Sequence, residues 1–324
     1  MNSAIRIHQY GGPEVLTLET VTAGDPAAGE VRLRHSAIGL NFIDVYQRTG
    51  LYPLGAFPQT LGMEAAGVIE AVGPNGEGFS TGDRVAYAMD LGAYCNERTI
   101  SVDKLVKLPD GIEDQTAAAM MLQGMTARYL LKSSYPVQAG DTILVMAAAG
   151  GVGTLLSQWA NHLGVTVIGC VGSPEKARLA QEHGCHHTIL YKDEDVAARV
   201  RDITGGAGVA AVYDSIGKAT LTASLDSLRP TGTLVSFGNA SGPISDFNIG
   251  LLAQKGSLYI QRPTLATYIR SRELLDQCAG DLFDAVQSGA VKVRIGQTYP
   301  LADVAQAHRD LEARKTTGAT VLLP

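Results

Sequence analysis

The residues best placed to do chemistry are small ones. Ala147-Ala148-Ala149-Gly150-Gly151-Val152-Gly153 lies between a β-rich run, Thr142 to Met146, and an apolar-periodic stretch carrying Leu155, Leu156, Trp159 and Leu163. A glycine-rich turn between strand and helix lets the backbone approach a pyrophosphate, while the helix N-terminus offers unbonded N–H groups and positive dipole. Against the pattern G-x-G-x-x-G, Ala148 stands for the first glycine, with Gly150 and Gly153 in the second and third places. A tight turn with no ligand is the alternative such a motif leaves open. Roughly 20 residues after this turn an NAD enzyme carries a carboxylate for the ribose 2′-OH. Here Cys170-Val171-Gly172-Ser173 holds none, and Lys176 follows. A hydroxyl and a cation suit a 2′-phosphate, so NADPH is expected over NADH. A solvated lysine at a helix start is the competing reading.

These residues need a scaffold, and the middle of the chain spells one out. Short β-rich runs, Thr142–Met146, Val165–Gly169, Thr188–Leu190, Val209–Tyr213, Thr233–Ser236 and Ser257–Ile260, alternate with helical stretches. Such alternation predicts βαβ units in an α/β fold, a doubly wound parallel sheet of six strands. Ser173-Pro174-Glu175 supplies cap, first position and favourable charge for one helix, and Gly184 stops it. Another helix follows Asp193-Glu194-Asp195, a solvated start rather than a metal site, and ends at Gly205-Gly206. The first 125 residues read as mostly β, with strands at Glu30–Arg34, Ala66–Gly73 and Asp83–Tyr87. The end of the chain reads as a helix over Arg272–Ser288 and strands at Val291–Val293 and Ala319–Leu323. The expected organisation is a first domain made of 1–124 and 262–324, into which a cofactor domain, 125–261, is inserted.

Composition excludes several function classes. The 324 residues carry 26 Lys plus Arg against 32 Asp plus Glu, a net charge of −6, which disfavours nucleic acid or an anionic membrane surface as partner. No apolar run approaches a bilayer span of about 18 residues, and Met1 to Arg6 lacks the basic and apolar regions of a leader, so a cytoplasmic protein is expected. Cys95, Cys170, Cys185 and Cys278 are far apart, which removes disulfide scaffolding and clustered zinc. Cys170, at the end of a strand, reads as a small buried hydrophobe, and His186-His187 as surface.

Several separated motifs carry a resemblance. Gly11-Gly12-Pro13-Glu14-Val15-Leu16, Gly39 to Asp44, Gly50-Leu51-Tyr52-Pro53, Gly62 to Val68, Gly82-Asp83-Arg84-Val85 and the 147–153 turn together resemble the medium-chain dehydrogenase/reductase superfamily. Asn41-Phe42-Ile43-Asp44, Tyr191, Ser236-Phe237-Gly238-Asn239 and the ending Arg314 to Pro324 resemble its ζ-crystallin-like branch, the NADPH-dependent quinone oxidoreductases. The resemblance runs from about residue 5 to 324. It implies a GroES-like catalytic domain around a Rossmann domain, with a pocket between them. The zinc enzymes of the superfamily hold their metal with a Cys, the His of a Gly-His-Glu motif, and a further Cys or Asp. Here Asn41 and Gly62-Met63-Glu64 stand at the first two places and the four-cysteine lobe is absent, so no metal is expected.

Without a Lewis acid the fitting reaction is reduction of an electrophile, a quinone or an enone, by hydride. The resemblance places the nicotinamide against the Asn41 to Tyr46 segment and the Phe237-Gly238-Asn239 loop. Candidate donors to a quinone oxygen are Asn41, Tyr46 and Tyr52, with plain packing as the alternative for both tyrosines. The cofactor set implied is Asn41, Tyr46, Thr126, Tyr129, Gly150, Gly151, Val152, Gly172, Ser173, Lys176, Tyr191, Ser215, Phe237, Asn239, Ser241 and Arg314, Thr126 having a helix-cap alternative. An alkenal double-bond reductase is the second enzymatic reading, and a cofactor-binding structural protein a third. The expected assembly is a homo-oligomer, a dimer or tetramer, paired across the Ser257–Ile260 edge.

Overall fold

The computed structural model describes residues 2–76 and 78–324. The chain forms two compact units, one of Met1–Gln123, Ser271–Phe283 and Val293–Pro324, the other of Gly124–Arg270 and Asp284–Lys292. In chain order the first unit contributes β1 (Ser3–Ile7), β2 (Thr17–Thr20), β3 (Glu30–Leu40), α1 (Phe42–Arg48), β4 (Gln59–Thr60), β5 (Glu64–Val72), β6 (Arg84–Ala88), β7 (Glu97–Ser101), β8 (Val106–Lys107) and α2 (Asp114–Ala118). Helix α3 (Met121–Tyr129) leads into the second unit. There follow β9 (Thr142–Met146), α4 (Gly151–His162), β10 (Thr166–Val171), α5 (Pro174–Glu182), β11 (His187–Leu190), α6 (Val196–Ile203), β12 (Val209–Asp214), α7 (Leu221–Ser227), β13 (Leu228–Ser236), α8 (Gly250–Gln254), β14 (Tyr259–Gln261) and α9 (Leu265–Tyr268). The chain closes with α10 (Arg272–Gln287), β15 (Ile295–Pro300), α11 (Val304–Glu312) and β16 (Ala319–Leu323).

In the second unit six parallel strands run in the order β11-β10-β9-β12-β13-β14, the doubly wound sheet expected. Every residue of β12 is buried, as a strand covered on both faces requires. Leu144, Ile168, Ile189, Val212 and Leu234 form its core with the helices. The strand order reverses between β9 and β12, and ligands of open α/β sheets bind outside the C-terminal strand ends at such a point.

The first unit is mostly strand, with a sheet ordered β15-β16-β3-β5-β6-β8, β7 pairing with β3, and a smaller sheet β2-β1-β4. Val31, Leu33, His35 and Ala37 of β3 alternate into the core, where they join Ile5, Ile69, Val85, Tyr87 and Tyr94.

Two expected strands differ. Val291–Val293 is not a strand. Val291 is fully buried and its N–H bonds to the Ala285 carbonyl, while the Gln158 side chain takes both the N–H and the carbonyl of Lys292, so this backbone needs no ladder. The strand that pairs with β16, in parallel, is instead Ile295–Pro300. The last strand of the parallel sheet begins at Tyr259 rather than Ser257, because Ser257 has φ of +57°, outside the β region.

Candidate functional site

Helix α4 begins at the glycine-rich turn, and the turn leaves its end open. Gly150 is the N-cap and has no side chain to bond the first turn, which contains no acidic residue. The N–H groups of Gly151, Val152 and Gly153 have no acceptor inside the helix by position, which suits an anion. A Cβ at Gly153 would collide with the Ala147 carbonyl and stand 2.8 Å from Ala148 Cα, so glycine alone lets α4 lie this close to β9. Ala147 itself is held at φ of +55°, an alanine in left-handed conformation at the head of the turn.

The next turn gathers four of the expected residues. Ser173 caps α5, its hydroxyl accepting the Lys176 N–H at 3.3 Å, which leaves the hydroxyl proton to donate. Tyr191, just past β11, bonds through its N–H to the Val171 carbonyl, and a Cβ at Gly172 would stand 2.7 Å from its phenol oxygen. Gly172, Ser173, Lys176 and Tyr191 are therefore neighbours around the end of β10, and β10 itself ends on Val171 with no carboxylate. The set fits a ribose carrying a 2′-phosphate.

A third group surrounds Asp214, a residue that sequence reasoning passed over. Asp214 is buried at the end of β12 and accepts four bonds, from the N–H groups of Ile216 and Gly217 and the hydroxyls of Thr220 and Ser224. It fixes the Ser215–Gly217 turn. That turn interlocks with the 237–242 loop: the Ser215 carbonyl accepts from Ala240, Ser241 Oγ donates to the Ile216 carbonyl and accepts from the Ala219 N–H, and Phe237 N–H bonds to the Asp214 carbonyl. Gly238 lies so close to Ser215 that a Cβ would stand 2.8 Å from its Cα. Ser215, Phe237, Asn239 and Ser241 are thus held in one cluster. Thr126 lies buried within α3 and caps nothing, and Tyr129, the last residue of α3, stacks on Tyr268 at 4.4 Å and 3°.

The first unit holds Asn41, Tyr46, Tyr52 and Arg314. Asn41 is the N-cap of α1, and its backbone N–H is bonded by the Asp44 carboxylate at 2.8 Å. Its side-chain amide donates to Glu64 Oε1 at 2.7 Å and accepts from Gln123 Nε2 at 3.0 Å. Tyr46, on α1, meets Tyr52 edge to face at 5.2 Å, and the Tyr52 N–H bonds to the Tyr46 carbonyl. Arg314 lies just past α11 with φ of +58°, where a helix commonly ends on glycine. At the other end of α1 the Arg48 guanidinium is buried and bonds to the Gly11 carbonyl, His308 Nδ1 and both oxygens of Glu312. The Tyr94 hydroxyl joins this cluster to the start of α1, donating to Asp44 Oδ2 and facing His308 Nε2.

Zinc does not fit here. The Asn41 oxygen is taken by Gln123, the Met63 thioether accepts from Gln47 at 3.1 Å, and the Cys95 thiol is turned to the Gly92 carbonyl. Among the described residues no three His, Cys, Asp or Glu side chains converge on a metal position.

Burial sets the electrostatics of this unit. It pushes the Asp44 carboxyl up to about 7 and the Glu64 carboxyl up to about 8, against hydrogen bonds from Asn41, Tyr94 and Leu122. It pulls the His35 and His308 imidazoles down to about 4 and about 3. A raised carboxyl stabilises the fold below its ordinary value and loses that contribution as pH rises through the folded value; a depressed imidazole stabilises above 6.5 and loses it as pH falls. The two slopes oppose each other between pH 4.5 and 6.5. Unfolding free energy is therefore expected to be flat there, to decline from 6.5 towards about 8, and to decline below 4.5. Urea unfolding across a pH series checks this, and Glu64→Gln should shallow the alkaline decline; an unchanged limb assigns it elsewhere.

The comparisons agree with this construction. Residues 27–135 match the model of the alcohol dehydrogenase GroES-like domain and 151–279 that of the zinc-binding dehydrogenase domain. The chain is 52% identical over 325 residues to a quinone oxidoreductase of Pseudomonas aeruginosa, covering 100% of both chains. It is 46% identical to a 2-haloacrylate reductase of a Burkholderia species, covering 100% of this chain and 99% of that one. The crystal structure of Escherichia coli quinone oxidoreductase complexed with NADPH superposes with a TM-score of 0.98 at 45% identity, over 99% of this chain and 100% of that one. A parallel sheet with an open glycine-rich turn, joined in one chain to a GroES-like unit and similar over its whole length to such enzymes, identifies an oxidoreductase of the medium-chain dehydrogenase/reductase superfamily, in its quinone oxidoreductase family.

Proposed function

We propose that the protein is a zinc-independent NADPH:quinone reductase of the cytoplasm. The observation that carries the reading is similarity over the whole chain to quinone oxidoreductases at 52%, 47% and 45% identity. When bound, NADPH supplies the hydride. The N–H groups at the start of α4 receive the pyrophosphate, and Ser173, Lys176 and Tyr191 the 2′-phosphate end of the ribose. Ser215, Phe237, Asn239 and Ser241 form the wall that the Asp214 turn holds in place. In the first unit Asn41, Tyr46 and Tyr52 donate to the substrate oxygen on which charge develops, the task that falls to hydrogen bonds where no metal is held. The final proton comes from water.

The similarity to a 2-haloacrylate reductase supports a second reading, reduction of an activated double bond. Steady-state assays with NADPH decide between them. With exhaustive chelator present, 1,4-benzoquinone is expected to turn over with the higher kcat/KM. A 2-alkenal preferred over the quinone assigns double-bond reduction, and activity lost on chelation overturns zinc independence.

No helix among the described residues is long and apolar enough to cross a membrane, and the four cysteines are free and buried, which supports a reducing compartment. The edge strand β14 exposes Tyr259 at 62% and Ile260 at 37%, and an exposed apolar edge supports pairing with a second copy as a homodimer. Light scattering is expected to give about twice the 34.0 kDa of one chain; the mass of a single chain overturns it.

A further inference from the structure

Three side chains meet before α1, and the polarity of their hydrogen bonds leaves one of them a single remaining group. Glu64 is fully buried at the start of β5, and two N–H donors, not a cation, face its carboxyl: Asn41 Nδ2 at 2.7 Å on Oε1 and the Leu122 N–H at 2.5 Å on Oε2. Room for it is made by Gly39, where a Cβ would collide with Glu64 Oε1 and the Ala118 carbonyl. On the other side of Asn41, Gln123 Nε2 donates to Oδ1 at 3.0 Å. The carboxamide of Asn41 has one acceptor oxygen and two N–H groups. Gln123 engages the oxygen and Glu64 engages one N–H, so one N–H is left over. Burying an acid without a cation is costly, and two N–H groups offset that cost here, the Asn41 amide and the N–H of Leu122 in the first turn of α3.

We propose that Glu64 is a positioning residue: with Gln123 it locks the Asn41 carboxamide so that only an N–H remains to face the substrate, which makes Asn41 an obligate donor to a carbonyl oxygen. The proposal rests on the reading of Asn41 as a substrate donor and adds the reason for its polarity. It selects acceptor oxygens, as in quinones and enones, over groups that would themselves donate.

Exchanging the polarity of the pair tests it. In Glu64→Gln alone, a single amide oxygen cannot serve both the Leu122 N–H and Asn41, so stability and turnover both fall. In the double variant Asn41→Asp/Glu64→Gln the introduced amide oxygen serves Leu122 and its NH₂ donates to the introduced carboxylate, which also accepts from Gln123. Every bond is remade, but the spare N–H at position 41 is gone. The assay uses benzoquinone or a 2-alkenal, whichever the wild type reduces faster, with NADPH binding followed separately by fluorescence. The expected result is that the double variant regains the melting temperature lost by Glu64→Gln and still binds NADPH, while its kcat stays at least about tenfold below wild type. A double variant that regains wild-type kcat along with its stability overturns the proposal and leaves Glu64 a structural role. A wild type that binds NADPH but reduces neither acceptor overturns the underlying reading, and the proposal with it.

Discussion

Lys176→Ala is expected to raise the KM for NADPH by about 10- to 100-fold with kcat little changed, because a charged hydrogen bond contributes about 1.5–3 kcal/mol and 1.4 kcal/mol is tenfold in binding. Lys176 lies in the first turn of α5, where its own N–H is tied to the Ser173 hydroxyl, and Tyr191 packs against Gly172 at the start of the same turn. A contact made equally in ground and transition states changes KM and not kcat. The KM for NADH should hardly move, since NADH has no 2′-phosphate. Added salt should weaken NADPH more than NADH in the wild type, and less so in the variant. Steady-state kinetics with both cofactors across a salt series measures all three effects. A wild type that uses NADH as efficiently as NADPH, or a variant that weakens both cofactors alike, removes Lys176 from the phosphate.

The second large effect is on stability. Glu312→Met is expected to destabilise the first unit by about 3 kcal/mol, because it strands a buried guanidinium without its carboxylate. Arg48 is 1% exposed, and Glu312 meets it with both oxygens, at 2.8 and 2.9 Å. Glu312 itself is partly open to solvent, which places the effect at the low end of the range for buried pairs. Removing the charge as well should restore much of the loss, so Arg48→Met/Glu312→Met is expected to be more stable than Glu312→Met alone. Denaturant titrations of the three variants measure this. A loss below about 1 kcal/mol in the single variant would mean that the pair behaves as a surface ion pair.

Local rules were enough for much of the second unit. Short β-rich apolar runs, helix caps such as Ser173 and stops such as Gly184 are statements about neighbouring residues, and they put all six parallel strands in place. The glycine-rich turn and the cap of α5 at Ser173 were legible for the same reason: each is one short segment whose residue types set its local structure. The missing carboxylate after β10 could be read directly. Where local rules misled, at Val291–Val293, the cause was not local. Gln158, more than a hundred residues earlier, satisfies that backbone, so residues with strand propensity form no ladder.

The first unit shows the opposite case. Nothing in Asn41-Phe42-Ile43-Asp44 says that the asparagine faces a glutamate from β5 and a glutamine from α3, because both partners arrive only through tertiary packing. The same holds for Arg48, His308 and Glu312, brought together across 260 residues or more. Asp214 was equally silent, one acid at a strand end until four donors closed on it. By itself the sequence determined the parallel sheet and the glycine-rich turn that opens α4, both properties of short segments. Which way a buried amide presents its hydrogens, and which acid stays buried without a cation, only the tertiary structure decided, because hydrogen-bond polarity and desolvation depend on groups far apart in the chain.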